Sequence, residues 1–161
     1  MNFFLSKTYF LLIFPCFLLA CTHSTTGYIN PNKLVEDYHG AANKRQTFLN
    51  QTKIWQANLD SLTTEISALP PAQAKQKEQE FLQYRQVIQQ KAQVEEARVN
   101  KAILTEVNAY IKQYGKEKGY DFILGATESG NIVYAAEETD LTDEILAGLN
   151  QQYDQRKESG K

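Results

Sequence analysis

Sulfur is scarce in this chain of 161 residues: there are two cysteines, Cys16 and Cys21, and a single methionine. From residue 22 onward no thiol remains, which excludes a disulfide framework and a thiol nucleophile from that part. Histidine occurs only as His23 and His39, and His39 has no second His, Cys or acid cluster at ligand spacing, so a metal site is not expected. G-x-S-x-G, HExxH and glycine-rich phosphate loops are all missing, so no enzyme activity and no cofactor are expected. An excess of positive charge is missing too. With 17 Lys and Arg against 19 Asp and Glu the net charge is −2, which leaves no basic footprint for nucleic acid. Four prolines and eight glycines are too few for a loop-built chain, and 42% hydrophobic residues suffice for some packed core. That apolar content is unevenly spread. Tyr9 to Cys21 is almost wholly apolar, whereas Gln73 to Lys101 is mostly Gln, Glu, Lys and Arg.

The single long apolar run follows Lys7 and ends at the small residue Ala20. It is short for a membrane-spanning helix, which needs about 20 apolar residues, and residues 1–20 read as a secretory signal. Leu18-Leu19-Ala20-Cys21 resembles the bacterial lipobox. The resemblance implies cleavage before Cys21 and lipid on its sulfur and its new amino group. Cleavage would take 20 residues from the 161 and leave 141, with Lys7 lost and a net charge of −3. Thr22 stands where the inner-membrane retention signal of enteric bacteria has Asp, so the same resemblance points to the outer membrane. Several acyl chains anchor stably where one would be marginal. Residues 21–26 then form a lipidated, polar tether.

Gly27-Tyr28-Ile29 is strand-like, and Asn30-Pro31 is a helix start, with Asn30 able to cap and Pro31 suited to the first helical position. Steps of three and four then pick out Tyr38, Ala41, Arg45, Phe48, Thr52, Trp55, Leu59, Leu62, Ile66 and Leu69. This sustained spacing predicts a coiled-coil seam that Pro70-Pro71 stops. A second helix is predicted from Ala72 to Gly119, with apolar positions Phe81, Tyr84, Ile88, Ala92, Val99, Ile103, Val107, Tyr110, Ile111 and Tyr114. Several of these recur at eleven residues, the signature of a straight or slightly right-handed course. The two helices make an antiparallel hairpin over 31–118 with its tip near 69–72. Lys116, Lys118 and Gly119 end it. Tyr120 to Ala126 and Ile132 to Ala136 read as two strands around the turn pair Gly130-Asn131. A last helix starts near Thr142, its expected cap, and runs to about Tyr153 before a polar tail over 154–161.

The segment Ile111-Lys112-Gln113-Tyr114-Gly115-Lys116-Glu117-Lys118-Gly119-Tyr120-Asp121-Phe122-Ile123-Leu124, then Ile132-Val133-Tyr134-Ala135, then Asp140-Leu141-Thr142-Asp143-Glu144-Ile145-Leu146 with Leu149-Asn150, resembles the OmpH/Skp family of periplasmic chaperones in order and spacing. The resemblance covers residues 27–153. It implies an α+β fold: a long antiparallel helical coiled-coil hairpin projecting from a small β-body built from 27–30 and 119–153, assembled as a homotrimer around a cavity. That cavity would hold unfolded outer-membrane proteins without ATP, in the periplasm. Three short strands per chain are too few to bury their own faces, which fits assembly as part of folding. Two departures stand out. The chain is slightly acidic where client-holding members tend to be basic, and the lipobox resemblance implies that it is lipid-anchored rather than free.

Trp55 lies on the seam and is expected to pack between the helices. The apolar residues off the seam, Leu49, Ile54, Leu82, Val87 and Val94, are the candidates for client contact. Asp140 and Asp143 are explained by the start of the last helix rather than by acid–base chemistry. The function expected is a lipid-anchored holdase. The competing reading is a structural coiled-coil envelope lipoprotein acting as a spacer or scaffold.

Overall fold

The structure, a computed structural model, describes residues 24–127 and 130–160. The expected signal, Cys21 and His23 lie outside the described residues. Strand β1, Thr26–Ile29, leads into Asn30, whose side-chain oxygen accepts from the backbone N–H groups of Asn32 at 3.0 Å and Lys33 at 3.1 Å. With Pro31 in the first turn, this starts helix α1, Pro31–Asp37, as the sequence predicts.

The hairpin's first helix is not continuous. It breaks at Tyr38, which is extended (φ −71°, ψ 120°), and resumes as α2, His39–Ser67. The break has a tertiary cause. Tyr38 is fully buried, its ring meets Tyr153 edge-on with centroids 5.7 Å apart, and its hydroxyl donates to Glu106 Oε2 at 2.9 Å. The carbonyls and amides that the break releases are taken up by side chains. Asn150 accepts from His39 N at 2.8 Å and donates to the Asp37 carbonyl at 3.2 Å, and Arg45 donates to the Val35 carbonyl at 3.2 Å. One asparagine thus bridges both sides of the break, removing the cost of orphaned backbone groups.

Helix α3, Pro71–Lys118, runs for 48 residues, about 72 Å, and α2 for 29, about 43 Å. Gly119 ends α3 in the left-handed region at φ 76°, with its N–H on the Gly115 carbonyl. Strand β2, Phe122–Gly125, then pairs parallel with β1, Tyr28 opposite Leu124. Parallel pairing demands a long crossover, and the whole hairpin serves as that connection.

The second expected strand, Ile132 to Ala136, does not form. β1 has β2 on one side and a bridge from Tyr28 to Asp140 on the other, with Leu141 N donating to the Tyr28 carbonyl at 2.8 Å. Among the described residues nothing pairs with the stretch Ile132 to Ala136, and Val133 and Tyr134 stand 97% and 86% exposed. After a single 3-10 turn, Glu137–Thr139, helix α4 spans Thr142–Ser159 and carries on through the stretch expected to be a polar tail. Its N-cap is Leu141, not Thr142. Thr142 is buried, and its hydroxyl accepts from Asn30 N at 2.9 Å and donates to Asp140 Oδ1 at 2.5 Å. Asp140 does the capping instead, accepting from Thr142 N at 2.9 Å.

One core joins these elements: Leu34 of α1, Tyr38 at the break, Ala41 at the root of α2, Ile103, Val107 and Tyr114 of α3, and Ile145 and Leu149 of α4. The last third of α3 therefore belongs to the body, and α2 with the first two thirds of α3 forms the arm.

Candidate functional site

The arm is a two-helix seam. All ten positions that the three-four spacing picks out, from Tyr38 at the break through α2 to Leu69 just past it, are buried or half-buried. On α3 the corresponding residues also face inward, except that Tyr84 is 37% exposed. Trp55 is 8% exposed and packs in the seam, with the Lys91 ammonium 5.3 Å from its ring centroid. Packing is loose toward the tip. A cavity of about 490 Å³ opens beside Trp55, Leu59 and Ile88, and another of about 400 Å³ lies between Leu62, Ile66, Leu69 and Phe81.

Leu49, Ile54, Leu82, Val87 and Val94 are 50%, 55%, 51%, 58% and 70% exposed, so none is used by the seam. The fold does not gather them into one patch. Leu49 and Ile54 are about 140° apart on α2, as are Leu82 and Val87 on α3, and only Val87 and Val94 lie nearly in line. A second exposed apolar group was not anticipated: Phe122 and Leu124 on β2, with Val133 and Tyr134 beyond it. Alternation along Phe122-Ile123-Leu124 carried the signal, since only Ile123 joins the core.

Charge is segregated between the two parts. Residues 39–102, the arm, hold 9 Lys and Arg against 6 Asp and Glu, a net +3, whereas residues 24–38 and 103–161, the body, hold 7 against 13, a net −6. The near-neutral total hides a basic arm on an acidic body.

At the arm's root Glu106 receives the Tyr38 hydroxyl and the Lys44 ammonium, the latter at 2.9 Å. Burial alone would raise the Glu106 carboxyl, but the hydrogen bonds from Lys44 and Tyr38 outweigh it and hold it below its ordinary value. Burial, then the bond to Glu106, pushes the Tyr38 phenol up to about 12. The network fixes the arm's origin. His39, exposed, contacts Asp154 at 3.0 Å, and no metal-ligating cluster occurs among the described residues. Asp143 pairs with Lys33 at 2.6 Å, which together with the capping by Asp140 leaves neither acid facing a cleft.

A long hairpin on a small parallel pair, with this C-terminal helix, is matched by a family model described as outer membrane protein (OmpH-like) over residues 25–149. The chain belongs to the OmpH-like family. The match takes in β1, the entire arm and α4 as far as its core residue Leu149. No curated protein matches the chain in sequence. Among solved structures, an OmpH-like outer membrane chaperone from Caulobacter crescentus CB15 is similar at 14% identity, with 81% of this chain and 86% of that chain covered and a TM-score of 0.49.

Proposed function

We propose that this OmpH-like protein is an ATP-independent periplasmic holdase for unfolded outer-membrane proteins, held at the outer membrane by lipid on Cys21 and assembled as a homotrimer. The observation that carries the reading is the arm itself: two long helices whose seam consumes one apolar stripe each while Leu49, Ile54, Leu82, Val87 and Val94 stay exposed. Those five are the proposed client contacts, and the arm's net +3 supplies long-range attraction for acidic stretches of a client. The trimer is supported by the second apolar group. Among the described residues Phe122, Leu124, Val133 and Tyr134 stay exposed and one edge of β2 is unpaired, a combination that a neighbouring subunit would bury.

Anchoring is assigned to Cys21 because Leu18-Leu19-Ala20-Cys21 resembles the bacterial lipobox. The test is aggregation of a urea-unfolded outer-membrane β-barrel protein diluted into buffer with and without the full chain. Suppression at one trimer per client is expected. Absence of suppression, together with a stable partner crosslinked at the arm tip near 69–72, would establish the scaffold in its place.

A further inference from the structure

The distal part of α3 carries a face without charge. Between Gln76 and Ala97 ten residues lie on the side opposite the seam, within a sector about 140° wide: six glutamines, Leu82, Val87, Val94 and Ala97. Every charged residue of that stretch falls outside the sector. Glu80 and Lys91 border it on one side, and Glu78 and Glu96 on the other. All ten residues are exposed. A helix face that is merely solvated is normally populated by Lys and Glu, which have equal helix propensity and better hydration than Gln. Six turns of neutral amides therefore call for a different account.

We infer that this face is a docking track for an extended, uncharged polypeptide segment, such as one strand of an unfolded β-barrel, with the glutamine amides bonding its backbone. The inference rests on the holdase reading and names where and how the client lies. Each glutamine offers both a donor and an acceptor, which is what the unpaired N–H and C=O groups of an extended chain require, whatever its side chains. Of the six, Gln76 bonds Glu80 at 3.3 Å, and the amides of Gln79, Gln83, Gln86, Gln90 and Gln93 hold no hydrogen bond among the described residues, which leaves five in a row along the face open to a ligand.

Length agrees. The face runs about 32 Å, and a membrane-spanning strand of about 9–11 residues at about 3.3 Å each covers the same span. A helical occupant, including the arm of a second copy, fits poorly. Its backbone is already satisfied, and Leu82, Val87 and Val94 are spaced five and seven apart, which makes no three-four ridge for another helix to enter.

The test uses the full chain with Gln83→Lys, Gln86→Glu, Gln90→Lys and Gln93→Glu together, which leaves net charge and helix propensity unchanged. Affinity is read from a fluorescently labelled, urea-unfolded outer-membrane β-barrel protein on dilution. About tenfold weaker binding is expected, from several lost hydrogen bonds, with far-ultraviolet circular dichroism and solution mass unchanged. A photo-crosslinker placed at Gln90 of the otherwise native chain is expected to capture the barrel protein. Affinity kept within twofold by the quadruple variant, or crosslinks from Gln90 only to another copy of this chain, would overturn the track and leave the holdase reading intact. An unaltered chain with no affinity at all would refute the holdase reading itself.

Discussion

Replacing Tyr38 by Phe isolates one bond at the root of the arm. The ring keeps its edge contact with Tyr153 and its fully buried seat, and only the hydroxyl that donates to Glu106 Oε2 at 2.9 Å is removed. Hydrogen bonds to a charged acceptor contribute about 1.5–3 kcal/mol. The low end applies, because Glu106 keeps Lys44 at 2.9 Å and its side chain is 32% exposed, so neither partner is orphaned. The expected loss is about 1.5 kcal/mol, equivalent to a fall in Tm of roughly 4 °C for a chain of this size. Glu106 has a lowered folded-state pKa, so its ionised form stabilises the fold above its unfolded value. That contribution disappears as pH falls through the folded value. The Tyr38→Phe loss must therefore shrink at acid pH, where the bond is neutral. Urea unfolding followed by circular dichroism at pH 7 and pH ~3, at one fixed protein concentration, measures both values. A loss below about 0.5 kcal/mol at pH 7, or one that is the same at both pH values, would refute the claim that a charge-assisted bond holds the break.

Five further outcomes are expected. Gly40→Ala would drive a methyl group into the Tyr38 ring, which cannot retreat while its hydroxyl is bonded, and should cost about 2 kcal/mol in the same unfolding assay. Trp55→Ala should cost about 3 kcal/mol by opening the seam. Because Trp55 is the only tryptophan, its emission in the native chain should shift to the red on arm melting before the body unfolds. Asp140, like Glu106, is held low: burial would raise it, but the Thr142 hydroxyl and amide bonds outweigh that, so its contribution to stability should be full above the ordinary carboxylate range and be lost as pH falls through that range to the lowered folded value. Cys21→Ser should release the protein from membrane fractions into the soluble periplasmic fraction, and unchanged fractionation would remove the anchor.

Helix periodicity is local, and it was legible. Residues three and four apart share a face whatever lies elsewhere in the chain, so the seam from Tyr38 to Leu69, the stop at Pro70-Pro71 and the Gly119 cap all stand where the sequence puts them. The exposure of Leu49, Ile54, Leu82, Val87 and Val94 was legible by subtraction, since an apolar residue off the seam has no partner helix to cover it. The missed features each depended on residues far away in sequence. The break at Tyr38 needs Asn150 and Glu106, more than sixty positions on, to satisfy what it exposes. Thr142 lost the cap to Asp140 because Asn30, 112 residues before it, claims its hydroxyl. Val133 and Tyr134 have the composition of a strand, but composition does not decide pairing, and among the described residues they pair with nothing.

The sequence by itself determined two long helices, their turn, their facing stripes and the family to which they belong, because these follow from spacing along one chain. Only the tertiary structure decided where the arm departs from the body, that a basic arm stands on an acidic body, and that a neutral glutamine face is left open. Those depend on which distant groups meet, and on which faces find nothing to meet.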